Sequence, residues 1–186
     1  MKNNLQLITS LIDIQSFEIE DEDIQDKLRI LQSRVFTVSK IHDLLNVRQE
    51  GNSESTAVFI GNLTSDLIAF SGQEISFSSD LENVALPSNK LSYLGLVLNE
   101  LITNSIKHAF TTEQTDKTIR VNLYKKGDIL LLEYKDNGVG FDKNKVWENQ
   151  HQGMNLIYLL VKELGGAVQV ENDDGAKFVI ELPHKK

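Results

Sequence analysis

At 186 residues, 40% hydrophobic and 25% charged, the chain has the bulk of one ordinary domain with room for a small second element, and is neither disordered nor collagen-like. Nineteen basic against 27 acidic residues give a formal charge of −8 with no stretch dense in lysine or arginine, so nucleic acid is not an expected partner. Cysteine is absent, which excludes a disulfide scaffold, a thiol nucleophile and a thiolate metal site. Apolar runs such as 94–98 and 129–132 fall far short of the roughly 18–20 residues that span a bilayer, and no signal-peptide pattern opens the chain. The expectation is a cytoplasmic chain with no membrane contact.

In chain order, Leu5, Ile8 and Ile12, with Leu7, Leu11 and Ile14 alongside, predict a helix to about residue 17 with a broad apolar face. An acidic stretch, 18–23, interrupts it. Ile24, Leu28, Leu31, Val35, Val38, His42 and Leu45 then alternate steps of four and three over three heptads, the spacing of a coiled-coil or bundle seam. So few residues separate the two helices that they should fold back as an antiparallel hairpin. Two helices cannot cover two such faces, and the second seam outruns the first helix. The expected completion is a second copy, a homodimeric four-helix bundle. The other reading packs the hairpin on its own C-terminal domain.

Residues 48–55 are polar and aperiodic, a linker, so the expected domains are 1–48 and 49–186. The second begins with a helix over 58–70 and a short strand over 74–77. Pro87-Ser88-Asn89 starts a long helix to about 110. Strands 118–124 and 129–135 form a hairpin about Lys126-Gly127-Asp128. A helix over 154–164 stops at Gly165-Gly166, and a second hairpin pairs 167–171 with 177–182 about Asp173-Asp174-Gly175. Helices interleaved with antiparallel hairpins predict an α+β sandwich, with helices on one face of a mixed sheet.

Two places carry chemistry. On the long helix, Leu91, Leu94, Leu98, Leu101, Ile102, Ser105 and Ala109 share one side. Glu100, Asn104, Lys107 and His108 fall together opposite, within about 100° of arc. An amide oxygen suits Mg²⁺, and a lysine can neutralise phosphate; a solvated polar face is the alternative. The second place is Asp136-Asn137-Gly138-Val139-Gly140. Leu130, Leu132 and Tyr134 share a face with Asp136, so its carboxylate should point inward among apolar residues and need a donor. An exocyclic adenine amine would be one, with Gly138 and Gly140 letting the backbone approach the ligand. Asn-Gly is also a hairpin signal, but 141–152 does not alternate and reads as a flexible polar flap rather than a return strand. Gly153 then opens a helix whose free N–H groups suit a phosphate.

The segment Leu98-Asn99-Glu100-Leu101-Ile102-Thr103-Asn104-Ser105-Ile106-Lys107-His108-Ala109-Phe110 closely resembles the N-box of sensor histidine kinases with the gyrase-like (Bergerat) ATP fold. Asp136-Asn137-Gly138-Val139-Gly140 is similar to their first glycine box and Gly153-Met154-Asn155-Leu156 to their second; Gly175-Ala176-Lys177-Phe178 stands where Gly-Thr-x-Phe is expected. Lys2-Asn3-Asn4-Leu5-Gln6 and Ile41-His42-Asp43 resemble the dimerisation helices of the subclass reading His-x-x-Lys-Asn-Asn-Leu-Gln. The resemblance covers essentially the whole chain.

It implies ATP and Mg²⁺, with Asn104 on the metal, Asp136 on the adenine amine and Lys107 or His108 on the phosphates. Glu100 would organise water near the γ-phosphate or the metal. Gly138, Gly140, Gly153 and Met154 would shape the pocket and its lid. It further implies a homodimer, and a response-regulator receiver domain as the phosphate's destination. The rival is a non-enzymatic dimeric ATP-binding or phosphotransfer module that docks such a regulator. A serine kinase of the anti-sigma type on the same ATP fold would not need the hairpin seam. His42 reads as a packed seam residue, and His151 and His184 carry no argument. Three departures stand out. No histidine occurs in the first helix, and the family's phosphoacceptor would lie just ahead of Met1, as in a longer sensor or in a protein that does not phosphorylate itself. Ala176 replaces the threonine, and His151 stands at the first glycine of the second box.

Overall fold

A computed structural model describes residues 19–49, 55–141 and 152–184, together with 8, 10–12 and 14; side chains between 44 and 54 are not described. The chain divides into two compact units, Met1–Glu54 and Ser55–Lys186.

In the first unit, Ile8, Ser10, Leu11, Ile12 and Ile14 are helical, and α1 runs over Glu22–Gln49. Asp21 opens α1, its carboxylate accepting from the N–H groups of Asp23 at 2.9 Å and Ile24 at 3.2 Å. That satisfies orphan donors of the first turn, where Glu22 and Asp23 also complement the helix dipole. One face of α1 buries Gln32, Ser33, Thr37 and Ile41. Another leaves Ile24, Leu31 and Val38, seven residues apart, 44%, 46% and 43% exposed. Arg48 and Gln49, expected in the linker, are still helical. Most of the first arm of the hairpin, with residues 15–18 that lead into its turn, lies outside the described residues.

The second unit starts at α2 (Thr56–Phe70), capped by Ser55, whose hydroxyl accepts from the Val58 N–H at 3.1 Å. Five strands follow: β1 (Ser76–Leu81), β2 (Thr118–Lys126), β3 (Ile129–Asp136), β4 (Ala167–Asn172) and β5 (Ala176–Pro183). Their order is β1-β2-β3-β5-β4, antiparallel except that β1 runs parallel to β2. The helix α3 (Ser88–Asn104) continues as a π turn over Ser105–Ala109, and α4 spans Gln152–Glu163. Burial alternates along β2 and β5, giving one covered and one open face. Against the covered face, Leu91, Leu94 and Leu98 of α3 are fully buried with Ile119, Val121, Leu123, Leu130, Leu132 and Ile180 of the sheet. Each such side chain contributes about 1.5–3 kcal/mol by leaving water.

This is the α+β architecture expected, with two corrections of detail. The first strand is Ser76–Leu81 rather than 74–77, because pairing with β2 recruits the polar Ser78, Ser79 and Asp80 that alternation could not mark. The long helix does not stay α-helical to 110: its last turn changes to π geometry before Phe110 leaves in extended conformation.

Candidate functional site

The site is built where α3 meets α4. Glu100 is only 3% exposed, and its Oε1 accepts from the Asn99 side-chain amide at 3.1 Å. A Cβ placed on Gly153 would stand 3.1 Å from Glu100 Oε2 and 3.3 Å from Asn104 Oδ1. The Asn104 amide also reaches the sulfur of Met154, buried at the start of α4, at 3.8 Å. The fold thus gathers Glu100, Asn104, Gly153 and Met154, and the absence of a side chain at Gly153 lets the start of α4 come close to a carboxylate and an amide oxygen.

Glu100 is buried and so does not belong to a solvated face, whereas Asn104 is half-buried. The four-member stripe is not continued either. From Ser105 the bonding steps to i→i+5, so the 100° projection that joined Lys107 and His108 to Asn104 no longer applies. Lys107 is half-buried on that turn and His108 is exposed.

Asp136 ends β3 and is 2% exposed, facing inward as the alternation with Tyr134 predicts. The expectation that it waits for a ligand to supply its donor is corrected, because the protein already supplies three. Its Oδ1 accepts from the backbone N–H groups of Gly138 and Ala176, both at 3.0 Å. Its Oδ2 accepts from the Ser105 hydroxyl at 2.5 Å, and the Tyr134 hydroxyl donates to Ser105 Oγ at 2.8 Å. Burial lifts the Tyr134 phenol well above its ordinary value of 10; the Ser105 hydrogen bond pulls against this and the Asp136 charge adds to it. A carboxylate offers about four acceptor positions, so one remains for a ligand donor. Ala176, which departs from the threonine pattern, contributes through its backbone alone.

The glycines explain why the turn after β3 lies close to α3. A Cβ on Gly138 would fall 2.5 Å from the Ala109 Cβ and 2.6 Å from its carbonyl carbon. The neighbouring Val139 N–H donates to the Ala109 carbonyl at 2.8 Å, fastening the turn to the end of the π segment. Gly140 has φ +71°, and a Cβ there would meet Asn172 Oδ1 at 2.7 Å. Asn172 in turn holds the Phe141 N–H at 3.1 Å and its carbonyl at 2.7 Å, at the root of the expected flap. Residues 142–151 of that flap lie outside the described residues. Asn137 staples the preceding loop, accepting from the Thr118 N–H and donating to the Asp116 carbonyl, each at 2.7 Å.

A turn holding a buried aspartate against the end of a helix that also carries an asparagine can be compared with known proteins. Residues 89–186 match the family model of histidine kinase-, DNA gyrase B- and HSP90-like ATPases. The chain belongs to this ATPase family. Ahead of the ATPase domain, residues 1–71 match a second model, described as histidine kinase. Blue-light-activated histidine kinase 2 of Erythrobacter litoralis is 22% identical over 98% of this chain and 54% of its own length. Sensor histidine kinase PdtaS of Mycobacterium tuberculosis is 23% identical over 98% of this chain and 38% of its own. The chain therefore spans about half or less of these relatives. The histidine kinase domain of the Erythrobacter litoralis EL346 blue-light activated histidine kinase shares the fold, with a TM-score of 0.73 at 21% identity over 96% of this chain and 85% of that one. Among the described residues, no helix is long and apolar enough to cross a membrane.

Sequence reasoning passed over Ser105, Tyr134, Asn137 and Asn172 as site residues. Ser105 carried a signal, a hydroxyl on the apolar side of the helix that has to find a buried partner. Asn172 carried none, since its role rests on the β4–β5 register.

Proposed function

We propose that this chain is the dimerisation and catalytic core of a cytoplasmic two-component sensor histidine kinase. It binds ATP·Mg²⁺ in the ATPase domain and passes the γ-phosphate to a histidine, and from there to the receiver domain of a response regulator. The observation that carries the reading is the convergence of the Glu100 carboxylate and the Asn104 amide oxygen on Gly153, where α4 starts. A neutral amide oxygen beside a carboxylate suits a hard cation that keeps several waters and shares phosphate oxygens. Bound there, Mg²⁺ would neutralise phosphate charge. Asn104 would hold it, and Glu100, with one oxygen tied to Asn99, would orient water beside it. Asp136 offers its remaining acceptor position to the adenine amine. Gly138, Gly140, Gly153 and Met154 shape the pocket, and Lys107 or His108, on the π turn, neutralises the phosphates. Such a site works by positioning and charge neutralisation, because phosphoryl transfer asks the protein for little covalent chemistry.

The domain division proposed is 1–48 for the dimerising helical hairpin and 49–186 for the nucleotide domain. The open heptad face of α1 supports a homodimer. A second reading, a non-enzymatic dimeric ATP-binding or phosphotransfer module that docks a regulator, draws on the lack of any histidine before His42.

Titration calorimetry with ATP tests the first reading. The wild-type chain should bind, and Asn104→Ala should lose mainly the Mg²⁺-dependent share of the affinity. No binding by the wild type overturns the reading, and equal losses with and without Mg²⁺ remove Asn104 from the metal. Label from γ-labelled ATP appearing strongly on the chain by itself would point to His42 as the acceptor.

A further inference from the structure

We infer that Ser105 and Tyr134 are positioning residues that hold Asp136 as an acceptor-only group and thereby set the preference for a 6-amino over a 6-oxo purine nucleotide. The inference rests on the nucleotide reading above. Tyr134 is fully buried, and among the described residues its hydroxyl donates to Ser105 Oγ at 2.8 Å. Ser105 has a single proton, and its other neighbour is Asp136 Oδ2 at 2.5 Å. If Tyr134 donates to Ser105, the Ser105 proton must go to the carboxylate. The chain of donors then runs one way, from tyrosine to serine to aspartate.

The opposite polarity would need a protonated Asp136 donating to Ser105, and Ser105 donating to the tyrosine oxygen. That arrangement strands the Tyr134 proton in the core without an acceptor, and a buried unpaired donor costs about 1–3 kcal/mol. The two backbone N–H groups on Asp136 Oδ1 likewise use the carboxyl group as an acceptor. Tyr134 is therefore the end-stop that fixes the direction of the chain. The carboxylate shows only lone pairs to whatever enters. An exocyclic amine can donate to it, whereas a carbonyl oxygen in the same place meets an acceptor. Ser105 further occupies the helix side of Oδ2, so the incoming donor must use the remaining position. With Tyr134 shortened to phenylalanine, the opposite polarity no longer strands a tyrosine proton, so the direction of the chain is no longer fixed and the discrimination relaxes while the packing stays.

The test compares ATP with inosine triphosphate, which exchanges the 6-amino group for a 6-oxo group, on the full chain by calorimetry, with a thermal melt to confirm folding. The ratio of the two affinities should fall about threefold in Tyr134→Phe and about tenfold in Ser105→Ala, the span between a neutral and a charge-assisted hydrogen bond. Should Ser105→Ala fail to fold, Tyr134→Phe, which keeps the ring, still decides the matter. Equal losses for both nucleotides, with the ratio unchanged, would show a merely structural role and overturn the inference while leaving the ATP reading intact. A wild-type chain that binds neither nucleotide overturns both.

Discussion

Gly138 and Gly153 both sit against α3 or its π extension, and a methyl group at each meets different kinds of atom. At Gly138 it strikes the Ala109 Cβ and carbonyl carbon within 2.6 Å, backbone that cannot swing aside. At Gly153 it meets the far ends of Glu100 and Asn104 beyond 3 Å. Gly138→Ala should therefore cost the fold, breaking the Val139–Ala109 hydrogen bond and lowering the melting temperature by several degrees or more. Gly153→Ala should melt like the wild type yet bind Mg²⁺-nucleotide less tightly; calorimetry and thermal denaturation on the two variants separate these outcomes. Tyr134 gives a pH-dependent counterpart. Its unfolded phenol ionises near 10 and its folded one well above that, so the stability of the neutral group is complete below pH 10 and is lost as the pH climbs toward the folded value. Tyr134→Phe should cost about 1 kcal/mol at pH 8, and the gap to wild type should narrow above pH 10 in urea melts. A gap constant with pH would deny the burial effect. The inward aim of Asp136 was legible, since period-two alternation with Tyr134, Leu132 and Leu130 requires it. Its Ser105 partner was not, because a 3.6-residue projection places Ser105 among leucines without saying which strand end it will meet.

Among the elements, α1 shows most clearly what periodicity can convey. Ile24, Leu31 and Val38 of the heptad seam are the residues left open, while Gln32, Ser33, Thr37 and Ile41 form the buried face. A row of half-exposed aliphatics at seven-residue spacing is the surface a parallel or antiparallel partner helix covers with knobs in holes. Leu31→Glu combined with Val38→Glu should convert a dimer to a monomer by light scattering at micromolar concentration, with helix content retained. A wild-type chain of single mass would sink the seam argument. The hairpins were legible from Gly127 and Asp173-Asp174-Gly175, where turn chemistry is local. β1 was only half legible: as an edge strand rich in serine, it is defined by its parallel partner β2, a relation that no local pattern encodes. The π turn was invisible for a similar reason. Its extra residue lets the Ala109 carbonyl reach Val139, and that contact is tertiary.

For the molecule as a whole, the consequence of the donors gathered on Asp136 is temporal. They come from three separate stretches: Ser105 closes the helix, Gly138 follows β3, and Ala176 opens the other hairpin. Each hairpin can zip locally within microseconds, but β3 meets β5 only after a loop of some forty residues has closed. Until then a carboxylate pressed into the core would be short of partners, a penalty that opposes premature collapse at this spot. Asp136 is thus a checkpoint, costly to enclose early and well paired once all three segments have arrived. In stopped-flow refolding, recovery of binding to a fluorescent adenine nucleotide should trail the far-ultraviolet dichroism signal, and simultaneous recovery would refute that order. The side chain proposed to distinguish one purine from another would then also distinguish a finished domain from an unfinished one, so that nucleotide is captured only by molecules whose sheet is complete.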